Sequence, residues 1–182
     1  MVVLFLVSGC AVTGRPAAIE ASAPPVGRPP VVLDTSVSGW ETAAWLDGGQ
    51  FCVRAQRTGR KVNASAASNF VFCDPAPSAL DASGPALLPA KPVPYVAPLD
   101  PQQRKTILVG TVRGDVATVS VTMFGETATA AVHQLPVSAG RQVGAYAVWL
   151  PRSGPGRSGM DLSDVTAVIG YDAAGNVLTQ VD

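Results

Sequence analysis

The sequence predicts an all-β fold, with antiparallel strands arranged as a sandwich or barrel. Three observations predict it. Short segments alternate apolar and small polar residues, as Val119, Val121 and Met123 do against Thr118, Ser120 and Thr122. Turn residues, chiefly Gly and Asp, recur at the spacing of about 8–12 residues that sandwiches and barrels use. Prolines fill the remaining connections, where they rule out helix interiors.

The elements follow in chain order. Residues 11–33 hold Pro16, Pro24, Pro25, Pro29 and Pro30 among Ala, Ser, Gly and Val, with no periodicity. That composition predicts a spacer of polyproline character. Residues 38–57 predict a hairpin whose arms, Trp40–Leu46 and Gln50–Arg57, are joined by Asp47-Gly48-Gly49. On the second arm Phe51 and Val53 share one face, and Cys52 and Arg54 the other. Thr58–Ser68 is small and polar, a loop. Asn69–Cys73 is a short strand carrying Phe70, Val71 and Phe72. Residues 74–104 are again rich in proline, from Pro75 to Pro101. They predict an extended connection lying over the sheet through Leu87, Leu88, Tyr95 and Val96.

The last third is the clearest. Thr106–Val112 is a strand ended by Arg113-Gly114-Asp115. Val116–Phe124 alternates as a half-buried antiparallel strand does. Gly125 and Glu126 are expected to turn the chain into Thr127–Leu135, with Ala128, Ala130 and Val132 on one face. Val143–Leu150 follows and stops at Pro151. A glycine-rich loop, Arg152–Gly159, leads to the strand Asp164–Tyr171. Asp172-Ala173-Ala174-Gly175 then turns the chain, with Gly175 placed for a positive φ, into Asn176–Val181. The strands before the proline-rich connection are too few to stand alone. Residues 36–182 are therefore expected to form one domain: a hairpin part (36–75), a connection (76–104) and a main part (105–182).

Composition excludes some functions. The 182 residues suffice for one domain. Only 14% are charged, below the ~25% usual for soluble domains. Lys plus Arg numbers 13 and Asp plus Glu 13. A balanced chain has no electrostatic footprint for nucleic acid or anionic lipid, and its aromatics are not interleaved with basic residues.

The N-terminus reads Val-Val-Leu-Phe-Leu-Val over residues 2–7, then Ser8, Gly9 and Cys10. A membrane-spanning helix needs ~20 apolar residues, and Gly14, Arg15 and Pro16 end the run before that. Small residues before a cysteine, after an apolar run, resemble the lipobox of bacterial lipoproteins. The resemblance implies that residues 1–9 are a signal peptide. No Lys or Arg precedes Cys10, so the peptide is expected to be truncated, its start lying upstream. It further implies that Cys10 carries fatty chains of the palmitate type, each buried CH₂ adding ~0.8 kcal/mol. Residues 10–35 would then tether the domain to the outer face of the cell membrane.

With Cys10 acylated, Cys52 and Cys73 remain as a pair. In an oxidising compartment they form a disulfide, worth roughly 3 kcal/mol in the chain-entropy model. A cytosolic chain would instead hold two free thiols.

Further segments carry a wider likeness: the tryptophan-bearing hairpin, the cysteine pair, and Val-Gly-Thr-Val (109–112). Ala-Tyr-Ala-Val-Trp-Leu-Pro (145–151) and Val-Ile-Gly-Tyr-Asp-Ala-Ala-Gly-Asn-Val-Leu (168–178) complete it. Together they resemble small actinobacterial-type secreted lipoproteins with an immunoglobulin-like β-sandwich domain, over most of residues 36–182. The resemblance implies an antiparallel immunoglobulin-like sandwich and no particular activity. The cysteines depart from the immunoglobulin pattern, being too close in sequence to bridge two sheets around a buried tryptophan.

No catalytic constellation emerges. The nucleophile elbow Gly-x-Ser-x-Gly is absent, and in Gly156-Arg157-Ser158-Gly159 the glycine follows the serine too soon. His133, the single histidine, is either a general base or a surface residue of an alternating strand. Asp47, Asp115 and Asp172 sit where turns need them. Asp161 and Asp164 flank a loop and offer a weak calcium site, two ligands where calcium wants several. Trp40, Trp45 and Trp149 either form a carbohydrate or peptide platform or pack in the core. Arg54, Arg57, Arg60 and Lys61 form a local basic patch, read as solvated charge or as a site for surface phosphates. Asn63-Ala64-Ser65 matches a glycosylation sequon that a bacterium would not use.

No catalytic, cofactor-binding or metal residue is therefore assigned. The expectation is a non-enzymatic binding or scaffolding module, anchored to the membrane through Cys10. It would meet a protein or cell-envelope glycan partner through the loops 58–68 and 152–162. An accessory sensor or regulator of a membrane signalling or transport partner, and a cell-envelope hydrolase, are the competing classes.

Overall fold

Alternating segments become strands, and each strand pairs antiparallel with its neighbours. The computed structural model describes residues 29–34, 39–47, 50–58, 69–75, 91–92, 105–136, 143–151 and 162–181. In chain order the strands are β1 (Val31–Asp34), β2 (Trp40–Asp47), β3 (Gln50–Arg57), β4 (Asn69–Pro75), β5 (Lys91–Pro92) and β6 (Lys105–Arg113). They continue with β7 (Thr118–Met123), β8 (Glu126–Ala131), β9 (His133–Leu135), β10 (Val143–Pro151), β11 (Val165–Tyr171) and β12 (Val177–Val181). A short 3₁₀ turn, Leu162–Asp164, precedes β11. Among the described residues there is no α-helix, and no helix is long and apolar enough to cross a membrane.

The strands form three four-stranded sheets. The N-terminal sheet has the order β1-β2-β3-β4, the middle sheet β5-β6-β10-β9, and the C-terminal sheet β12-β11-β7-β8. The cores show how they stack. Leu108 and Val112 of β6, with Tyr146, Val148 and Leu150 of β10, pack against Val119, Val121 and Met123 of β7 and Val168 of β11. The alternate residues, Ile107 and Val109 with Val143, Ala145 and Ala147, pack against Leu33, Ala44, Phe51 and Val53 of the N-terminal sheet. Even-numbered residues of β6 and β10 thus face one sheet and odd-numbered residues the other. Both faces of the middle sheet are buried, which is why its strands read as nearly continuous apolar runs. Each fully buried Leu or Val contributes roughly 1.5–3 kcal/mol.

Two glycines let side chains lie flat against the middle sheet. Tyr146 lies directly opposite Gly110 and its ring covers that residue. A Cβ at Gly110 would stand 2.5 Å from Tyr146 Cζ and 2.6 Å from Cε1. Gly144 likewise makes room for Val132, where the chain leaves the C-terminal sheet and enters the middle one.

Several expectations are refined. The hairpin part does not extend the main body's sheets but forms its own, with Asp47 paired to Gln50 across the turn. The spacer ends earlier than its composition suggests: Val31–Asp34, within the expected tether of residues 10–35, is a strand, and Leu33 is buried in the core. Its single apolar face is too short to show a period. The second turn is Phe124-Gly125, not Gly125-Glu126. Met123 pairs with Glu126, and both turn residues have positive φ, 52° and 78°. That is the backbone of a two-residue hairpin whose twist matches the strands. Phe124 accepts the strained conformation because its side chain packs against the core. Thr127–Leu135 is not one strand but two, β8 and β9, broken at Val132. Within the proline-rich connection, Lys91–Pro92 pair with Val109 and Leu108 at the edge of β6, where a proline is tolerated. The rest of that connection, the tether before residue 29 and Cys10 lie outside the described residues.

Candidate functional site

Cys52 and Cys73 are bonded to each other. They are direct register partners in β3 and β4, with Cα atoms 4.1 Å apart. The bond therefore staples two adjacent strands of one sheet rather than bridging sheets. Its surroundings follow from the alternation. Trp45, the partner of Cys52 in β2, stands on the same face, and both are buried. Arg54, two residues along β3, shares that face and approaches Glu41 at 3.5 Å. Gln56 donates to the same Glu41 at 2.8 Å. Two N–H groups of this face, Trp45 Nε1 and Arg54 Nε, are buried with no acceptor among the described residues.

A second cluster joins the N-terminal and middle sheets. Trp149 Nε1 of β10 donates to Asp34 Oδ2 of β1 at 2.5 Å. Trp40 of β2 meets Trp149 edge-to-face, with ring centroids 6.5 Å apart and planes at 62°. The tryptophans do not form one platform. Trp40 and Trp149 are crossed rather than coplanar, and Trp45 lies on the opposite face of its sheet, where Cys52 is. A sugar ring stacks on a flat, open aromatic face. Here Trp40 is buried, and Trp149 turns its N–H to a carboxylate.

His133 is half-buried at the start of β9, opposite Ala145. The aspartates serve turns. Arg113 grips Asp115 through two bonds of 3.0 and 2.6 Å, which holds the Asp115 carboxyl below its usual range. Asp172 accepts from the Asn176 side chain at 2.9 Å and from the backbone N–H groups of Asn176 and Ala174 at 2.8 Å each. These bonds, the Asn176 side chain first, lower its carboxyl too. Gly175, with φ 85°, completes the turn as the sequence predicts. Among the described residues no three of His, Cys, Asp and Glu lie close enough to hold a metal ion. The side chain of Arg57 is outside the described residues, as are Arg60, Lys61, Asn63, Asp161 and the loop 152–161.

Two features escaped the sequence reading. The Asp34–Trp149 bond joins residues 115 apart in the chain, and no local pattern encodes it. The hydroxyl ladder on the outer face of the C-terminal sheet was legible in part. Ser120 meets Thr129 at 2.9 Å and Thr122 meets Thr127 at 2.8 Å. The alternation gave their shared face, but pairing them required the hairpin register. Comparison with protein families, with curated proteins and with solved structures finds no match to this chain.

Proposed function

We propose that the chain is an exported lipoprotein. It is held at the outer face of the cell membrane through acylated Cys10 and displays a non-enzymatic binding or scaffolding module on a proline-rich tether. In this reading the facing middle and C-terminal sheets form an immunoglobulin-like sandwich, and the N-terminal sheet covers the other face of the middle sheet. The observation that carries the reading is the disulfide. Cys52 and Cys73 are placed opposite each other by strand register, and such bonds persist in oxidising compartments, not in the cytosol. The apolar run ending in Ser8-Gly9-Cys10 supplies the matching address.

The test is metabolic labelling with a clickable fatty acid in a bacterial host, using the chain fused behind the host's own lipoprotein signal peptide. The wild-type chain should be labelled and sediment with membranes, and Cys10→Ala should lose both properties. Non-reducing mass analysis should find Cys52 and Cys73 resistant to alkylation. An unlabelled wild-type protein in the cytosol, with both thiols alkylated, would overturn the proposal.

A further inference from the structure

We infer that the Cys52–Cys73 bond is a directional thiol–disulfide exchange site, entered at Cys73 and left at Cys52. The inference does not depend on the lipid anchor.

Three observations carry it. The first is redundancy of fold. Phe51 pairs with Asp74 and Val53 with Phe72 on either side of the cysteines, within a ladder running from Gln50–Pro75 to Gln56–Asn69. Backbone hydrogen bonds hold β3 to β4 whether or not the sulfurs are joined, so opening the bond leaves the strands paired. The second is asymmetry of exposure. Cys52 is fully buried, whereas Cys73 is only half-buried. The third is line of approach. A thiolate attacks a disulfide sulfur along the S–S axis, from the side away from the leaving sulfur. In register, Trp45 of β2, Cys52 of β3 and Cys73 of β4 follow one another across the sheet. Among the described strands β4 is the edge of its sheet, so no described strand lies beyond Cys73. On the other side stands Trp45, the buried neighbour of Cys52 in β2. Cys52 is the shielded sulfur of the pair and Cys73 the more exposed one.

The reductant is a dithiol. Its first thiolate bonds to Cys73 Sγ, the Cys52–Cys73 bond breaks, and Cys52 leaves as a thiolate that takes up a proton. The second thiol of the reductant, as its thiolate, attacks its own sulfur in the mixed disulfide. That closes the oxidised reductant and releases Cys73 as a thiolate. Two electrons pass to the protein. Trp45 is placed to report the change, because a neighbouring disulfide quenches indole emission more than a thiol does.

The experiment uses the 182-residue chain carrying Cys10→Ala, which removes the third thiol. The native, oxidised protein is treated with reduced glutathione, quenched in acid and mapped by mass spectrometry. A companion sample receives dithiothreitol while tryptophan emission and far-ultraviolet circular dichroism are followed. The glutathione adduct should fall on Cys73 over Cys52 by roughly tenfold or more, since access governs which sulfur is attacked. Emission should rise while the β-sheet signal is retained. Adducts divided evenly, or concentrated on Cys52, would overturn the inference. So would reduction no faster than global unfolding measured in denaturant. No cysteine of the pair is mutated, so a folding defect cannot blur the answer.

Discussion

Gly110→Ala tests the packing of the Tyr146 ring over the middle sheet. The new Cβ would stand 2.5 Å from Tyr146 Cζ and 2.6 Å from Cε1, well inside van der Waals contact. The ring has no room to yield, because Tyr146 is wholly buried among Leu108, Val112, Val119 and Val121. Overpacking of this kind costs about 1–3 kcal/mol, and contact with rigid ring atoms places it near the upper end. Replacing a strand glycine by alanine returns about 0.5–1 kcal/mol by restricting the unfolded chain. The net expectation is a loss of about 2 kcal/mol, or a fall in melting temperature of roughly 4–8 °C for a chain of this size. Urea unfolding followed by tryptophan fluorescence measures it. The double variant Gly110→Ala/Tyr146→Leu should recover most of the loss attributable to Gly110→Ala, since leucine places no ring over residue 110. A Gly110→Ala midpoint equal to or above that of the wild type would show that Tyr146 does not cover Gly110, and the facing core would have to be redrawn.

The Tyr146 hydroxyl is buried without a hydrogen-bond partner among the described residues, so Tyr146→Phe should stabilise the fold by about 1 kcal/mol in urea unfolding. Burial also pushes the Tyr146 phenol above its usual range. Its contribution to stability is therefore intact below the unfolded value near 10 and fades as pH rises past it, so Tyr146→Phe should flatten the alkaline limb of the melting curve. Reducing the Cys52–Cys73 bond, which spans 21 positions, should remove roughly 3 kcal/mol by calorimetry while leaving the sheets formed at room temperature. In acid the sign reverses. Asp115 and Asp172 are both lowered, so their contributions are complete above the unfolded value near 3.8 and are lost as pH falls through the lower folded values. Asp172→Asn should flatten that limb in thermal melts from about pH 5 to pH 2. Asp34→Ala strips the acceptor from Trp149 Nε1 and should cost about 1–3 kcal/mol, with Trp149→Phe in the same background adding little from the lost N–H.

Much of the fold could be read from the residues, because strand alternation is a local signal. The segment Thr118–Met123 shows the period of two directly, and its burial alternates as the pattern requires. Asp172 to Gly175 announces its turn through the side chain that caps it and the glycine that accepts positive φ. Other features were hidden for stated reasons. Val31–Asp34 has composition indistinguishable from the spacer before it, and only pairing with β2 makes it a strand. Phe124 is a poor residue for positive φ, so sequence logic moved the turn one residue on; core contact outweighed local preference. The break at Val132 shows in the sequence only as a change of phase: Ala128, Ala130 and Val132 take even positions, whereas the buried Leu135 takes an odd one and faces the other core.

The layering was written in the sequence, but in a form that needs the structure to interpret. A strand buried on one face alternates; a strand buried on both has no reason to. Lys105–Arg113 and Val143–Pro151 depart from alternation more than β7 does, and they are the strands with core on both sides. Their departure implies a cover for each face, and the C-terminal sheet supplies only one. The N-terminal sheet is therefore required by β6 and β10 themselves, rather than being an appendage that happens to rest there. The cysteine pair takes its meaning from the same arrangement. A bond between neighbouring strands cannot hold the layers together, so that work falls to the apolar faces of the middle sheet and to the Asp34–Trp149 contact across it. The disulfide is left free to respond to its chemical surroundings without deciding whether the chain folds.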